Sequence, residues 1–355
     1  MTEDAATVIL SEVVDHVGVL TLNRPKALNA LSLDMVRQMH AQLVDWAADL
    51  QVRSVLVRGA GEKAFCAGGD VRALYDSYRA DDGLWLQFFE EEYALDLYIA
   101  EYPKPYVALM DGYTMGGGMG IAQPAALRIA TDRTRMAMPE VGIGYFPDVG
   151  GSFFLPRLPG FVGFYLGLTG VQIGPADALF AGLADVCMSH EDAQDLPALA
   201  RRLNHIAWHR PPQQRIAGWA AASDIGDAPL AAVSEAIAQH FSQPGAAAIV
   251  ASLRTETRAA FQPWAQETLA LIEKRSPIAV AVTWELLSRG SGAPLADCLQ
   301  MELALDQAWM PRGDLIEGVR ALLVDKDQSP RWNPPRLDDV DDALIQSFFT
   351  KPARG

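Results

Sequence analysis

Apolar residues recur along this chain at two periods, and the places where the period switches mark its elements. Residues 8–22 carry two β-rich segments around Asp15-His16, with Gly18 beyond. This predicts a hairpin with His16 in its turn rather than in a catalytic role. Ser32 then offers a helix N-cap, and Leu33, Val36, Met39, His40, Leu43 and Trp46 follow at helical spacing, with His40 on or near the apolar stripe. Residues 52–58 predict a strand through Val55, Leu56 and Val57, after which a small-residue loop, 63–71, enters a helix. Residues 84–101 are helical in period and carry Glu90, Glu91 and Glu92, an acidic run that reads as a solvated helix face. The run Tyr106–Met110 predicts a buried strand, followed by a turn at Asp111-Gly112, the triplet Gly116-Gly117-Gly118 and an apolar Ile121-Ala122 segment. Shorter strands are predicted over 127–131 and 135–138, helices over 161–167 and from 174, and a turn and strand over 182–187.

Strand, glycine-containing loop and helix thus occur twice, over 52–73 and 106–126. Repeated units of that kind predict an α/β fold with crossover helices. After about residue 190 the texture changes to Ala, Gln and Arg with scattered prolines. Helices are predicted there over 196–208, 231–241, 246–253, 278–289, 295–310 and 314–323, with a Pro-rich stretch over 325–335 and a terminal helix over 340–349. The expected organisation is a core at 1–190, a helical insertion at 191–277 and a C-terminal helical region at 278–355.

Composition narrows the function classes. The chain has 355 residues, 50% hydrophobic and 21% charged, which is ordinary globular usage and room for one large core or two domains. Its formal net charge of −15 argues against a nucleic-acid partner, because that binding rests on basic surface. No apolar run is long enough for a membrane span. The N-terminus MTEDAATVILSE lacks the pattern of a secretory or transit segment, and Cys66, Cys187 and Cys298 are too far apart for a metal or disulfide framework. Together these predict a reducing, cytoplasmic setting.

The candidate chemistry lies between residues 104 and 158. A glycine triplet lets backbone approach a ligand, and amides left free at a helix start can stabilise developing negative charge. The plain alternative is a tight strand-to-helix turn. Glu140, after Met138-Pro139, and Asp148, after Phe146-Pro147, sit among apolar and glycine residues where a free carboxylate is costly to bury. For each, the alternative is a helix cap or a satisfied turn acid.

Four stretches in this order resemble the crotonase, or enoyl-CoA hydratase/isomerase, superfamily: NRPKALNAL at 23–31, AFCAGGDV at 64–71, DGYTMGGGMG at 111–120 and MPEVGIGYFPDVGG at 138–151. The extension FPDVGGSFFLPRL, CLQME at 298–302, EGVRALLVDKD at 317–327 and PRW at 330–332 bring the likeness nearest to a branch of valine catabolism that hydrolyses a short hydroxyacyl-CoA thioester. The resemblance implies an α/β spiral of ββα units with C-terminal helices covering the site. It implies an oxyanion hole made by the amides of Gly69 and Gly117, with Glu140 as general base or nucleophile. Asp148 would grip the substrate hydroxyl or position the water, and Glu92 would join the substrate-binding set. For coenzyme A it points to Ala27, Leu28 and Ala67. Arg24, Lys26 and Lys63 are the cations nearest these loops, with an ordinary surface role as the alternative. No metal and no cofactor beyond the acyl-CoA substrate is implied; the superfamily often forms homo-oligomers, the Ala-rich insertion could block or replace that interface, and the oligomeric state stays open.

One departure is informative. Hydratases of the superfamily use two glutamates; the first falls at Gly120 here and the second at Glu140, while Asp148 stands where hydratases carry a small residue. The competing readings are an isomerase working with one glutamate, a residual hydratase and a non-catalytic acyl-CoA binder.

Overall fold

A computed structural model describes residues 7–216, 219 and 225–350; residues 1–6, part of the N-terminal stretch read above, lie outside the described residues. By its internal contacts the chain groups into two units. The first comprises Met1–Asp70, Ala94–Met136 and Ile173–Ala228; the second comprises Val71–Tyr93, Ala137–Gln172 and Pro229–Gly355. The 191–277 stretch, expected as one insertion, is shared between them, with the change at Ala228.

Among the described residues the strands are β1 (Ile9–Val14), β2 (Val17–Leu22), β3 (Ser54–Gly59), β4 (Ala64–Cys66), β5 (Tyr106–Met110), β6 (Tyr113–Met115), β7 (Leu127–Thr131), β8 (Arg135–Ala137) and β9 (Val186–Met188). They form a six-stranded sheet in the order β1-β2-β3-β5-β7-β9 and a three-stranded sheet in the order β4-β6-β8. Only β1 and β2 pair antiparallel in the larger sheet, joined by Asp15 and His16 at positive φ, as the hairpin pattern predicts. From β2 onward its pairs are parallel, with registers such as Leu56↔Val107 and Ile129↔Val186. Each of β3, β5 and β7 is followed at once by a short strand of the smaller sheet, and helical chain then returns to the next position. That is a repeated ββα arrangement.

The core of this unit follows from the alternation of strand side chains. Val19, Leu56, Val107, Leu109 and Ile129 share a buried cluster with Leu199 and Leu203 of the helix Leu196–Asn204. The helix Leu33–Ala48 begins where Ser32 accepts a hydrogen bond from the Met35 amide, and buries Met35, Val36, Met39, Leu43 and Trp46. His40 packs against Tyr98, with ring centroids 4.9 Å apart.

The second unit is helical. Its elements include Val162–Thr169, Pro229–Phe241, Ala246–Arg254, Gln262–Ile272, Pro277–Gly290, Leu295–Trp309 and Asp342–Phe349. Two of its features depart from the pattern. The helix Gln262–Ile272 was not expected, because its buried face consists of Ala265, Thr268 and Ile272 and gives little hydrophobic signal. The helix expected over 314–323 is α-helical only through Leu315–Val319 and continues as a π turn, Arg320–Val324. There the Arg320 guanidinium pairs with both Glu317 and Asp327 at 2.7 Å. Among the described residues no helix is long and apolar enough to cross a membrane.

Candidate active site

The two glycine loops lie together in the first unit. β4 and β6 pair in parallel, so the segments leaving their C-terminal ends emerge side by side. Gly68 turns the first loop at φ 111°, where a side chain would be strained. A Cβ placed on Gly68 would sit 3.8 Å from the Gly117 nitrogen, which measures how closely the loops approach. A Cβ on Gly118 would fall 2.4 Å from the Cys66 carbonyl oxygen, so that position tolerates no side chain. Gly117 opens the short helix Gly117–Ala122, and Gly116 O accepts from the Met119 and Gly120 amides. The amides of Gly69 and Gly117 meet no acceptor among the described residues. Two unspent donors on touching loops are equipped to hold an oxygen that is gaining negative charge.

The segment before the first loop is pinned to it by Asn29. Leu28 and Asn29 are both left-handed, at φ 52° and 56°. The buried Asn29 amide donates to Ala60 O at 2.9 Å and Ala64 O at 2.8 Å, and its Oδ1 accepts from the Arg24 amide. Ala67 N donates to Leu28 O at 3.0 Å, and Leu31 bridges to Gly69. Leu28, Ala67, Gly69 and Gly117 are thereby brought into one neighbourhood. The Arg24 guanidinium is already engaged, donating to Asp70 at 2.9 Å and to Ala30 O at 2.6 Å. Lys26, Ala27 and Lys63 are exposed.

The two acids lie together in the second unit, on a loop that is buried almost throughout. Glu140 starts a short 3-10 turn and is 6% exposed; its Oε2 makes no hydrogen bond among the described residues. Burial first, and then the charge of Asp148, push the Glu140 carboxyl well above the usual carboxylate range. Asp148 is equally buried, and its carboxyl is pushed up to about 7 by burial, opposed by hydrogen bonds from tyrosines. Tyr93 Oη lies 2.8 Å from Asp148 Oδ2 and also 2.8 Å from Asp306 Oδ2. The Tyr145 hydroxyl bonds to Asp306 Oδ1. Aromatic rings pack beside these groups: Tyr145 stacks on Phe89 and Phe146, and Trp309 meets Phe146 edge-on.

Glu302 holds the backbone of this acid loop. Fully buried on the helix Leu295–Trp309, it accepts from the amides of Gly150 at 2.8 Å and Ser152 at 2.9 Å, and from the Ser152 hydroxyl. These bonds fix a turn in which Val149 takes φ 50°, a conformation a β-branched residue avoids. Burial raises the Glu302 carboxyl to about 8 against the opposing effect of those donors.

Glu92 is 2% exposed, while Glu90 is exposed, so the acidic run is not a uniformly solvated face. The helix Leu84–Ala100 buries residues around much of its circumference and turns Glu92 and Tyr93 inward. Tyr93, Tyr145, Glu302 and Asp306 were not marked as functional by sequence reasoning. Only Glu302 had a signal, as the last residue of CLQME. Among the described residues no group of three or more His, Cys, Asp or Glu side chains is arranged to hold a metal ion.

The sequence profile of the enoyl-CoA hydratase/isomerase family matches residues 17–349. The chain belongs to that family. Relatives in it include the mitochondrial 3-hydroxyisobutyryl-CoA hydrolases of Rattus norvegicus, 43% identical over 94% of this chain and 86% of the relative, and of Homo sapiens, 39% identical over 98% and 89%. Among solved family structures, a carnitinyl-CoA dehydratase from Mycobacterium thermoresistibile superposes with TM-score 0.87 at 40% identity, covering 98% of this chain and 97% of that one. An enoyl-CoA hydratase from Rhodobacter sphaeroides superposes with TM-score 0.85 at 35% identity, covering 97% of each. The mixed α/β fold with a parallel sheet and a C-terminal helical region is that of the family. The cytoplasmic setting expected from the N-terminus and the cysteines needs correction, because the vertebrate relatives are named mitochondrial enzymes. Spaced cysteines report on redox conditions only, and reducing compartments are not limited to the cytoplasm.

Proposed function

We propose that this protein hydrolyses a short-chain hydroxyacyl-CoA thioester, 3-hydroxyisobutyryl-CoA foremost, to the free hydroxy acid and coenzyme A, a step of valine catabolism. The observation that carries the reading is the buried Glu140–Asp148 pair combined with Gly120 at the position of the first hydratase acid. The identity to relatives named hydrolases supports it. In this reading the Gly69 and Gly117 amides take the thioester carbonyl oxygen. Glu140, with an unspent Oε2 and a raised pKa, brings on water as general base or attacks to give an acyl-enzyme anhydride. Asp148, held by Tyr93, grips the substrate hydroxyl or orients the water, and Glu92 joins the substrate set. Coenzyme A runs along Ala27, Leu28 and Ala67, with Lys26 and Lys63 as the cations free to meet its phosphates. The reading uses no cofactor.

The second reading is hydration, favoured by the names of the two superposed structures. Adding water to an alkene needs one group to take a proton from water and a carrier to deliver one to carbon. Gly120 supplies no such carrier. A panel of hydroxyacyl- and enoyl-CoA substrates, followed for both thiol release and loss of enoyl absorbance, separates the readings. Thiol release with the hydroxyacyl substrate is expected; hydration without thiol release would overturn the proposal. Glu140→Gln and Asp148→Asn are each expected to abolish thiol release while acyl-CoA still binds, and full turnover in either variant would remove that residue from the mechanism.

A further inference from the structure

The Tyr93 hydroxyl has one proton and two carboxyl neighbours, Asp148 Oδ2 and Asp306 Oδ2, each 2.8 Å away. A phenol can donate only once. If both carboxyls were ionised, one of these contacts would press two oxygen lone pairs together in a buried site. Such an arrangement carries the full cost of a buried unpaired acceptor. The contact is satisfied only if one carboxyl carries a proton and donates it to Tyr93 Oη, leaving the Tyr93 proton for the other.

The surroundings decide which. Asp306 is fully buried, and its other oxygen, Oδ1, is taken by the Tyr145 hydroxyl, so neither oxygen is open to substrate. The ionisable groups that act on it most are acids and phenols: Tyr93 from the helix Leu84–Ala100, Tyr145 and Asp148 from the acid loop, and Glu302 one turn away on its own helix. Glu140 adds a further acid facing Asp148. The charges that act most strongly on Asp306 are those of acids. The pair therefore has reason to hold a proton.

Resting on the hydrolase reading above, we infer that Asp306 is a neutral, protonated positioning residue. It donates its proton to Tyr93, which in turn donates to Asp148, so that Asp148 stays ionised with Oδ2 fixed. Asp306 touches neither substrate nor water; it sets the charge and aim of the residue that does. Its burial raises its pKa well above the usual range, and Asp148 lies lower, at about 7, in the same direction as the assignment.

The test compares the full-length protein with Asp306→Asn and Tyr93→Phe. The Asn amide can donate to Tyr93 and accept from Tyr145 as a protonated carboxyl does. Asp306→Asn is therefore expected to lose only about fivefold in kcat and to keep the acid limb of the pH–kcat/KM profile in place. Tyr93→Phe removes the bond that favours the ionised form of Asp148, and its acid limb is expected to move to higher pH. The infrared difference spectrum of wild type minus Asp306→Asn at neutral pH, which needs no activity, is expected to show the C=O stretch of a protonated carboxyl. A carboxylate band in that spectrum, an acid limb that drops by about a unit or more in Asp306→Asn as a neighbouring charge is removed, or an unmoved limb in Tyr93→Phe would each overturn the inference. If Asp148→Asn turned over substrate fully, the role of Asp148 would fall, and the infrared band would still decide the protonation of Asp306.

Discussion

The glycine loops and the acid loop are built in opposite ways. The first site is made of backbone: Gly69 and Gly117 offer amides, and what fixes them, the Asn29 carboxamide and the β4–β6 pairing, grips main-chain atoms. The second is made of side chains collected from across the sequence: Tyr93, Glu302 and Asp306 converge on the loop of Glu140 and Asp148. A backbone site has no titratable group and does not respond to pH. A buried cluster of acids and phenols responds to little else. The contrast teaches where each kind of perturbation acts, and experiments can break it in order of size.

The largest effect is expected from Glu140→Gln, a loss of about a thousandfold in kcat with acyl-CoA affinity retained, in line with removal of a positioned acid–base group. Isothermal titration with a non-hydrolysable acyl-CoA alongside CoA release checks both halves. Gly118→Ala attacks the other region. Its Cβ would meet the Cys66 carbonyl at 2.4 Å, displacing the Gly117 amide, and a fall of about a hundredfold in kcat is expected. Because no ionisable group is moved, its pH profile should keep the wild-type shape, and a shifted limb would erase the distinction between the regions.

Stability against pH comes next. Burial holds Asp148 at about 7 and Glu302 at about 8, above a solvated carboxylate. The folded chain keeps protons that the unfolded chain releases. Its stability from these groups is complete below the unfolded pKa and is lost as pH rises through 7 to 8, by up to about 1.4 kcal/mol per pH unit for each group. Melting curves at pH 6 and pH 9 should show the lower Tm at pH 9, and Glu302→Gln should flatten the difference. The smallest effect is expected at the exposed Lys26, where Lys26→Ala should raise KM for acyl-CoA by about threefold, an effect that salt removes. A KM unchanged at low salt would take Lys26 out of the coenzyme path.

The same contrast explains what the sequence could reveal. Glycine spacing is a local signal, and the loops at Gly69 and Gly117 were readable because glycine reports backbone geometry directly. The parallel sheet was readable for the same reason, since β5 and β7 are short β-rich runs bounded by turns. Glu140 and Asp148 stood out as acids in apolar company. Their partners did not. Tyr93 meets Asp306 across 213 positions, and no periodicity links a tyrosine after an acidic run to an aspartate inside an ordinary helix. Glu92 misled for a related reason: the charge of three glutamates outweighed the sparse pattern that turns only the third inward.

Glu302 also has a consequence for the order in which the protein is made. The amides it accepts from belong to Gly150 and Ser152, 152 and 150 positions earlier in the chain. As the ribosome delivers the polypeptide from its N-terminus, the acid loop must wait for nearly half the message to be read before its anchor arrives. A nascent chain halted before Leu295 would carry both carboxylates and lack the anchor that sets their loop, so premature stops far downstream of Asp148 should be as silencing as loss of the acid itself.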